Sequence, residues 1–184
     1  MTRIALVRSP GDHPSADAAV QAGVAELFAT LFPGNPAPEF DQAHTAMAAL
    51  AQSPKLALLA AKFSGAVILE SAWGKRANLR ELAFQTLGRH FGDELSTTSR
   101  RPAAEAAGLT VEQLGALGDW RASSLFDEEQ RLVIEYTEAV VTGRVPAELF
   151  ARMVARYGEQ EAVECTAAIG FWSFWAMLVG ATGI

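Results

Sequence analysis

Thiols are nearly absent from this chain: one cysteine, Cys165, stands in 184 residues. A lone thiol permits no intrachain disulfide and no two-thiol redox motif. The three histidines, His13, His44 and His90, are scattered too widely for any familiar metal-ligand spacing, so neither a metal nor a cofactor is implied. Positive charge is in deficit, with 15 Lys and Arg against 21 Asp and Glu and a net charge of -6. No broad basic face can form, which argues against a nucleic-acid partner. No stretch alternates apolar and polar residues with the period of a strand. There is no internal repeat and no low-complexity linker, so residues 1–184 are read as a single domain in a reducing, cytoplasmic setting.

What the chain does have is apolar surface. Hydrophobic residues make up 50% of it, more than the outside of a soluble monomer usually carries, and burial between subunits of a homo-oligomer accounts for the excess. Residues 1–11 place Arg3 and Arg8 around a short apolar patch, lack the longer apolar run of a secretory signal, and read as an extended arm. Residues 165–184 carry no charge and reach the length of a membrane-spanning helix. Their aromatic residues sit mid-segment, and the preceding flank is acidic (Glu159, Glu161, Glu164), so the stretch reads as a core or subunit-interface helix with no membrane partner.

Helical periodicity covers the rest. A first helix opens at 12–14, carries Val20, Val24, Leu27 and Leu31 on one face, and stops at the Pro-Gly-Asn-Pro of 33–36. A second spans 40–51, with His44 on the side of Phe40 and Met47. A third starts at Pro54 and turns Leu56, Leu59, Phe63 and Val67 inward. Thr110 with Gln113 and Asp127 with Gln130 each form a capping box. A helix from Pro146 ends at Gly158, and the last runs from 159 to about 179. The fold class is therefore all-α, a compact helical bundle.

Residues 78–109 are where titratable side chains crowd beside a strong apolar helix face. Asn78 is positioned to cap a helix with Glu81 as its third residue, and Leu79, Leu82, Ala83, Thr86, Leu87 and His90 share one side. Gly92 ends that helix. The polar run 93–102 offers no second apolar face, and Pro102 is expected to break or kink any helix near 98–101.

Four short motifs in order, Leu79-Arg80-Glu81-Leu82, Ala107-Gly108-Leu109-Thr110, 125–131 (LFDEEQR) and Ala168-Ile169-Gly170-Phe171, give a chain that resembles the carboxymuconolactone decarboxylase and alkylhydroperoxidase D family. The resemblance implies an all-helical subunit assembling as a trimer or hexamer. It also implies a site. The two cysteine positions of the peroxidase branch fall on Asp93 and Ser96, the histidine position shared with the decarboxylase branch falls on Arg100, and the relay glutamate falls on Glu81, where it is retained. Without the dithiol, peroxide reduction by that chemistry is excluded. An arginine stays protonated and is a poor proton carrier, so decarboxylation through the family histidine does not carry over unchanged.

The expected function is that of a cofactor-free enzyme of lyase, isomerase or cyclase type, acting on a hydrophobic carbonyl- or carboxylate-bearing small molecule. Glu81, His90, Ser96 and Arg100 are its candidate catalytic residues. Arg100 and Ser96 would stabilise negative charge on oxygen while Glu81 or His90 moves a proton. Asp93, Glu94, Phe171, Trp172 and Trp175 are candidate substrate-binding residues. Each has a plainer reading: Arg100 as a solvated surface charge, Glu81 as half of a cap or an ion-pair partner of Arg80, His90 as a core histidine, Asp93 and Glu94 as complements to a helix dipole, the aromatics as packing. The alternatives are a non-catalytic ligand-binding or structural oligomer and a peroxidase working through Cys165 alone.

Overall fold

A computed structural model describes residues 2–184, with the backbone alone at Leu95; residue 1 of the expected arm lies outside the described residues. The chain is all-α, with eight helices and, among the described residues, no strand: α1 (Ala18–Leu31), α2 (Thr45–Leu50), α3 (Pro54–Gly65), α4 (Ala77–Phe91), α5 (Glu94–Ala106), α6 (Val111–Ala116), α7 (Glu128–Val141) and α8 (Ala147–Thr182). It divides into two compact units, one of residues 1–64 with 178–184 and the other of residues 65–177.

In the first unit the extended arm is tied down by backbone bonds. The Arg3 N–H donates to the Thr182 carbonyl at 2.9 Å, and the Val7 N–H to Ala48 at 2.9 Å. Asp17, not the 12–14 segment, caps α1 through bonds from the Ala19 and Val20 amides. Residues 10–12 form only a 3-10 turn, because Asp12 turns back to accept from the Arg8 and Ser9 amides. Residues 42–44 are likewise a 3-10 turn, so α2 is shorter than its periodicity predicts. His44 is exposed and pairs with Asp41 at 2.7 Å. The expected inward face of α3 is corrected as well. Leu56 and Leu59 are 56% and 53% exposed, while Ala57 and Leu58 are buried. The buried side of α3 carries Pro54, Ala57 and Leu58, and Phe63 is exposed with the two leucines.

The second unit is organised around α4. Every residue from Leu82 to Gly88 is buried, so this helix is covered on all sides along its middle. One face (Leu79, Ala83, Phe84, Leu87) joins a core made with α7 and α8, through Val133, Tyr136, Met153, Ile169 and Trp172. The other presents Leu82 to a smaller core of Ala104, Leu109, Leu117, Trp120, Phe126 and Ile134. Both predicted capping boxes, at Thr110 and Asp127, are present. α8 is interrupted at Gly158 (φ 82°, ψ 165°), where the sequence places a helix end. By length and composition α8 could cross a membrane, although 39% of its apolar window is buried. Ala162, Cys165, Ile169, Trp172 and Ala176 form the stripe it contributes to the larger core.

Candidate functional site

Helix α4 begins two residues earlier than its sequence suggests, with Arg76 at the cap position and no side-chain cap bond. Asn78 is therefore not a cap. Its amide donates to the Ala107 carbonyl at 3.0 Å and its oxygen accepts from Gln130 Nε2 at 3.0 Å, tying α4 to the end of α5 and the start of α7. Gly92, with φ at 64°, closes α4 in the left-handed conformation that glycine adopts without steric cost. The polar run that follows is helix α5, and it continues through Pro102. Proline removes one ladder bond and costs about 3 kcal/mol in a helix interior. Here α5 is held to α4 on both sides of the proline: before it Gln85 Nε2 donates to the Thr97 carbonyl at 3.1 Å and Arg100 bonds to Glu81, and after it Asn78 Nδ2 donates to the Ala107 carbonyl at 3.0 Å. These ties offset the missing bond, so the predicted break at 98–101 does not occur.

Glu81 is completely buried. Arg100 grips it with two parallel bonds, Nη2 to Oε1 at 2.5 Å and Nε to Oε2 at 3.1 Å. Arg80 adds a third, Nε to Oε1 at 3.1 Å, and spends Nη1 on the Gly74 carbonyl at 2.6 Å. The Arg100 guanidinium lies 4.8 Å above the Phe84 ring, and Phe84 in turn meets Trp172 edge-on at 5.3 Å. One carboxylate thus faces two guanidinium groups over an aromatic floor. Arg100 keeps 31% of its side chain exposed.

The other predicted residues divide around this pair. Asp93 is the cap of α5, accepting from the Ser96 amide at 3.0 Å. Ser96 lies one turn before Arg100 and is half-buried. His90 does not lie in the core: it is exposed at the end of α4, stacked edge-on against Phe91 at 5.1 Å, because the helix runs out of the core in its last turn. Glu94 belongs to a different face of α5, discussed below. Trp172 is a core residue that backs Phe84. Phe171 and Trp175 are partly buried and meet one another at 5.6 Å, as packing residues beside the larger core. Cys165 is fully buried, and burial pushes its thiol well above the ordinary range, which leaves it protonated. Among the described residues no group of three or more His, Cys, Asp or Glu is placed to hold a metal ion.

Sequence reasoning missed a second polar locus. A cavity of about 260 Å³ is lined by Gln85 and Arg89 of α4, Gly92, Glu94, Thr97 and Arg101 of α5, and Leu114 and Leu117. The signal was present in the spacing, since 94, 97 and 101 repeat at helical intervals just as 93, 96 and 100 do. It becomes readable only once 93–102 is known to be helix.

No protein family's sequence model matches this chain, and no solved structure matches it. One stretch of 69 residues is 42% identical to the uncharacterized protein YnjA of Escherichia coli K12; it spans 36% of this chain and 37% of YnjA, so the chain is similar to that protein over about a third of its length.

Proposed function

We propose that this protein is a cofactor-independent enzyme of lyase or isomerase type, acting on a hydrophobic small molecule that carries a carbonyl or carboxylate. The observation that carries this reading is the fully buried Glu81 held by the Arg100 fork, with the Arg100 side chain itself 31% exposed. Buried ion pairs rarely add stability over apolar packing of the same volume, and a desolvated carboxylate beside a cation is a common form of proton-transfer site. The resemblance to the carboxymuconolactone decarboxylase and alkylhydroperoxidase D family supports the same position.

In this reading a substrate oxygen displaces the Glu81 carboxylate from the Arg100 fork, while Arg80 keeps its hold on Glu81. The freed carboxylate takes a proton from the carbon next to the substrate carbonyl. The C–H bond breaks, an O–H bond forms, and the electron pair moves onto the carbonyl oxygen as an enolate facing Arg100 and the Ser96 hydroxyl. Return of the proton to another carbon gives isomerisation; expulsion of a leaving group gives a lyase reaction. A Cys165 peroxidase is not favoured, since the thiol is buried and protonated. The resemblance further implies a trimer or hexamer in the cytoplasm, and the exposed Leu56 and Leu59 on α3 suit subunit packing. The net charge of -6 gives nucleic acid no purchase.

The test is solvent-deuterium incorporation into a panel of aromatic keto acids and lactone acids. At least one should exchange in the presence of the wild-type protein and none with Glu81→Gln. Absence of exchange and turnover across the panel would favour a second reading, a non-catalytic oligomer. That reading is suggested by the fact that the Arg100 fork is already fully engaged by Glu81.

A further inference from the structure

Two cavities of the second unit carry arginines, and they differ in what those arginines are doing. The larger, about 530 Å³ between α7 and the start of α8, is bordered by Arg131, Arg152 and Arg156. All three are engaged: Arg152 with Glu135 at 2.8 Å, Arg156 with Glu129 at 3.1 Å, and Arg131 with the carbonyls of Phe126, Trp120 and Ser123. A ligand entering there would have to compete with bonds already made.

The smaller cavity beside α5 is the reverse case. The exposed side chains of Arg89 and Arg101 make no hydrogen bond or ion pair with any described residue, yet both border the same 260 Å³ space. The Arg89 guanidinium is seated on Gly118, where a Cβ would stand 2.2 Å from Nη2 and 2.6 Å from Cζ. A side chain at 118 would evict it. Gln85 is a polar side chain only 7% exposed, anchored through its Nε2 to Thr97, and it forms part of the wall. Leu114 and Leu117 supply an apolar side, and Glu94 brings one negative charge against the two positive charges of Arg89 and Arg101. The volume is just below the roughly 300–1,000 Å³ of drug-sized ligand pockets, which suits a metabolite of one ring or a short chain.

We infer that this cavity binds a small organic carboxylate, its anionic end between the Arg89 and Arg101 guanidinium groups and its apolar body against Leu114 and Leu117. Two guanidinium groups without protein partners give paired, charge-assisted donors to one carboxylate. The site is separate from the Glu81–Arg100 pair: residues 94, 97 and 101 border the cavity, whereas Arg100 turns to α4. It stands whether or not the proposed chemistry does.

The experiment is titration calorimetry on the full chain with benzoate, inorganic phosphate and benzyl alcohol as probes. Benzoate should bind saturably and more weakly as salt is raised; phosphate should bind less well, and benzyl alcohol not at all. Arg101→Gln and Arg89→Gln should each raise the benzoate Kd roughly tenfold or more, the expected loss of a charge-assisted contact. Gly118→Ala should do the same with an unchanged melting temperature, because the atom displaced is the flexible end of a side chain. Arg152→Gln, at the larger cavity, should leave the benzoate Kd within about twofold, as expected for a residue outside the contact set. No saturable benzoate binding, an unchanged Kd in Arg101→Gln, phosphate binding as tightly as benzoate, or loss of binding in Arg152→Gln would each overturn the assignment.

Discussion

Arg100 and Arg101 carry the same side chain one residue apart in α5, and the helix sends them to opposite environments. Arg100 turns toward α4, meets Glu81 at 2.5 Å and lies over Phe84. Arg101 borders a cavity and has no described partner. Consecutive residues on a helix are about 100° apart, enough to separate an arginine whose binding capacity is consumed within the fold from one whose capacity remains available. The comparison shows that a residue's position in a motif does not reveal its role until its face is known. The resemblance points at position 100, and the open guanidinium is its neighbour.

The comparison breaks most visibly at Arg100. Arg100→Met leaves Glu81 buried with Arg80 as its remaining cation, and removing one partner of a buried pair costs 3–5 kcal/mol in general. The expected loss here is about 3 kcal/mol, at the low end because Arg80 persists and Arg100 is partly solvated. Urea unfolding measures it. The double variant Glu81→Leu with Arg100→Met should recover to within about 1 kcal/mol of wild type, since an apolar pair of similar volume relieves the desolvation cost. A single variant as stable as wild type would show that the pair does not hold α5 to α4.

Much of the architecture was legible from local chemistry. The Thr110 and Asp127 capping boxes and the Gly92 and Gly158 interruptions all depend on residues within a few positions of each other, and all are where the spacing puts them. What was not legible depends on distant partners. Asn78 has the sequence of a cap, but Ala107 and Gln130, far along the chain, claim its side chain. Pro102 reads as a break until Gln85 and Glu81 are seen to hold the helix before it and Asn78 after it. Leu56 and Leu59 have helical spacing, but so do Pro54, Ala57 and Leu58, and periodicity does not say which of two apolar faces turns inward. At the site, the resemblance singles out Glu81 and Arg100 without pairing them, whereas nothing singles out the Arg89–Gly118 seat, since no local pattern joins 89 to 118.

The spacing between the two helices gives a sharper test of the same contrast. A Cβ on Gly88 would stand 2.2 Å from Thr97 Cγ2, so α4 and α5 approach more closely there than any other residue permits. Gly88→Ala has two opposing consequences. It gains up to about 1 kcal/mol of helix propensity, and it forces an overpacked contact that costs typically 1–3 kcal/mol. At 2.2 Å the clash dominates, and a net loss of about 1 kcal/mol or more is expected in thermal unfolding. Thr97→Ser removes only the methyl and keeps the hydroxyl that bonds to the Asp93 carbonyl at 2.9 Å. In that background Gly88→Ala should become neutral or stabilising. A loss that persists in the Thr97→Ser background would mean that backbone, not this methyl, sets the spacing.

The smallest effect is expected where the arginine is unpaired. Arg101→Gln removes a charge that no described residue answers, so its stability should stay within about 0.5 kcal/mol of wild type, the ordinary range for surface substitutions away from packed features. The same substitution should nonetheless cost most of the affinity for benzoate. Arg100→Met is predicted to do the opposite, lowering stability by about six times as much while reaching no atom of the cavity wall. The two predictions stand or fall together, because both follow from the direction in which each side chain leaves α5. If Arg101→Gln proves as damaging to the fold as Arg100→Met, then Arg101 has a structural partner of its own, and the cavity has lost one of its two cations.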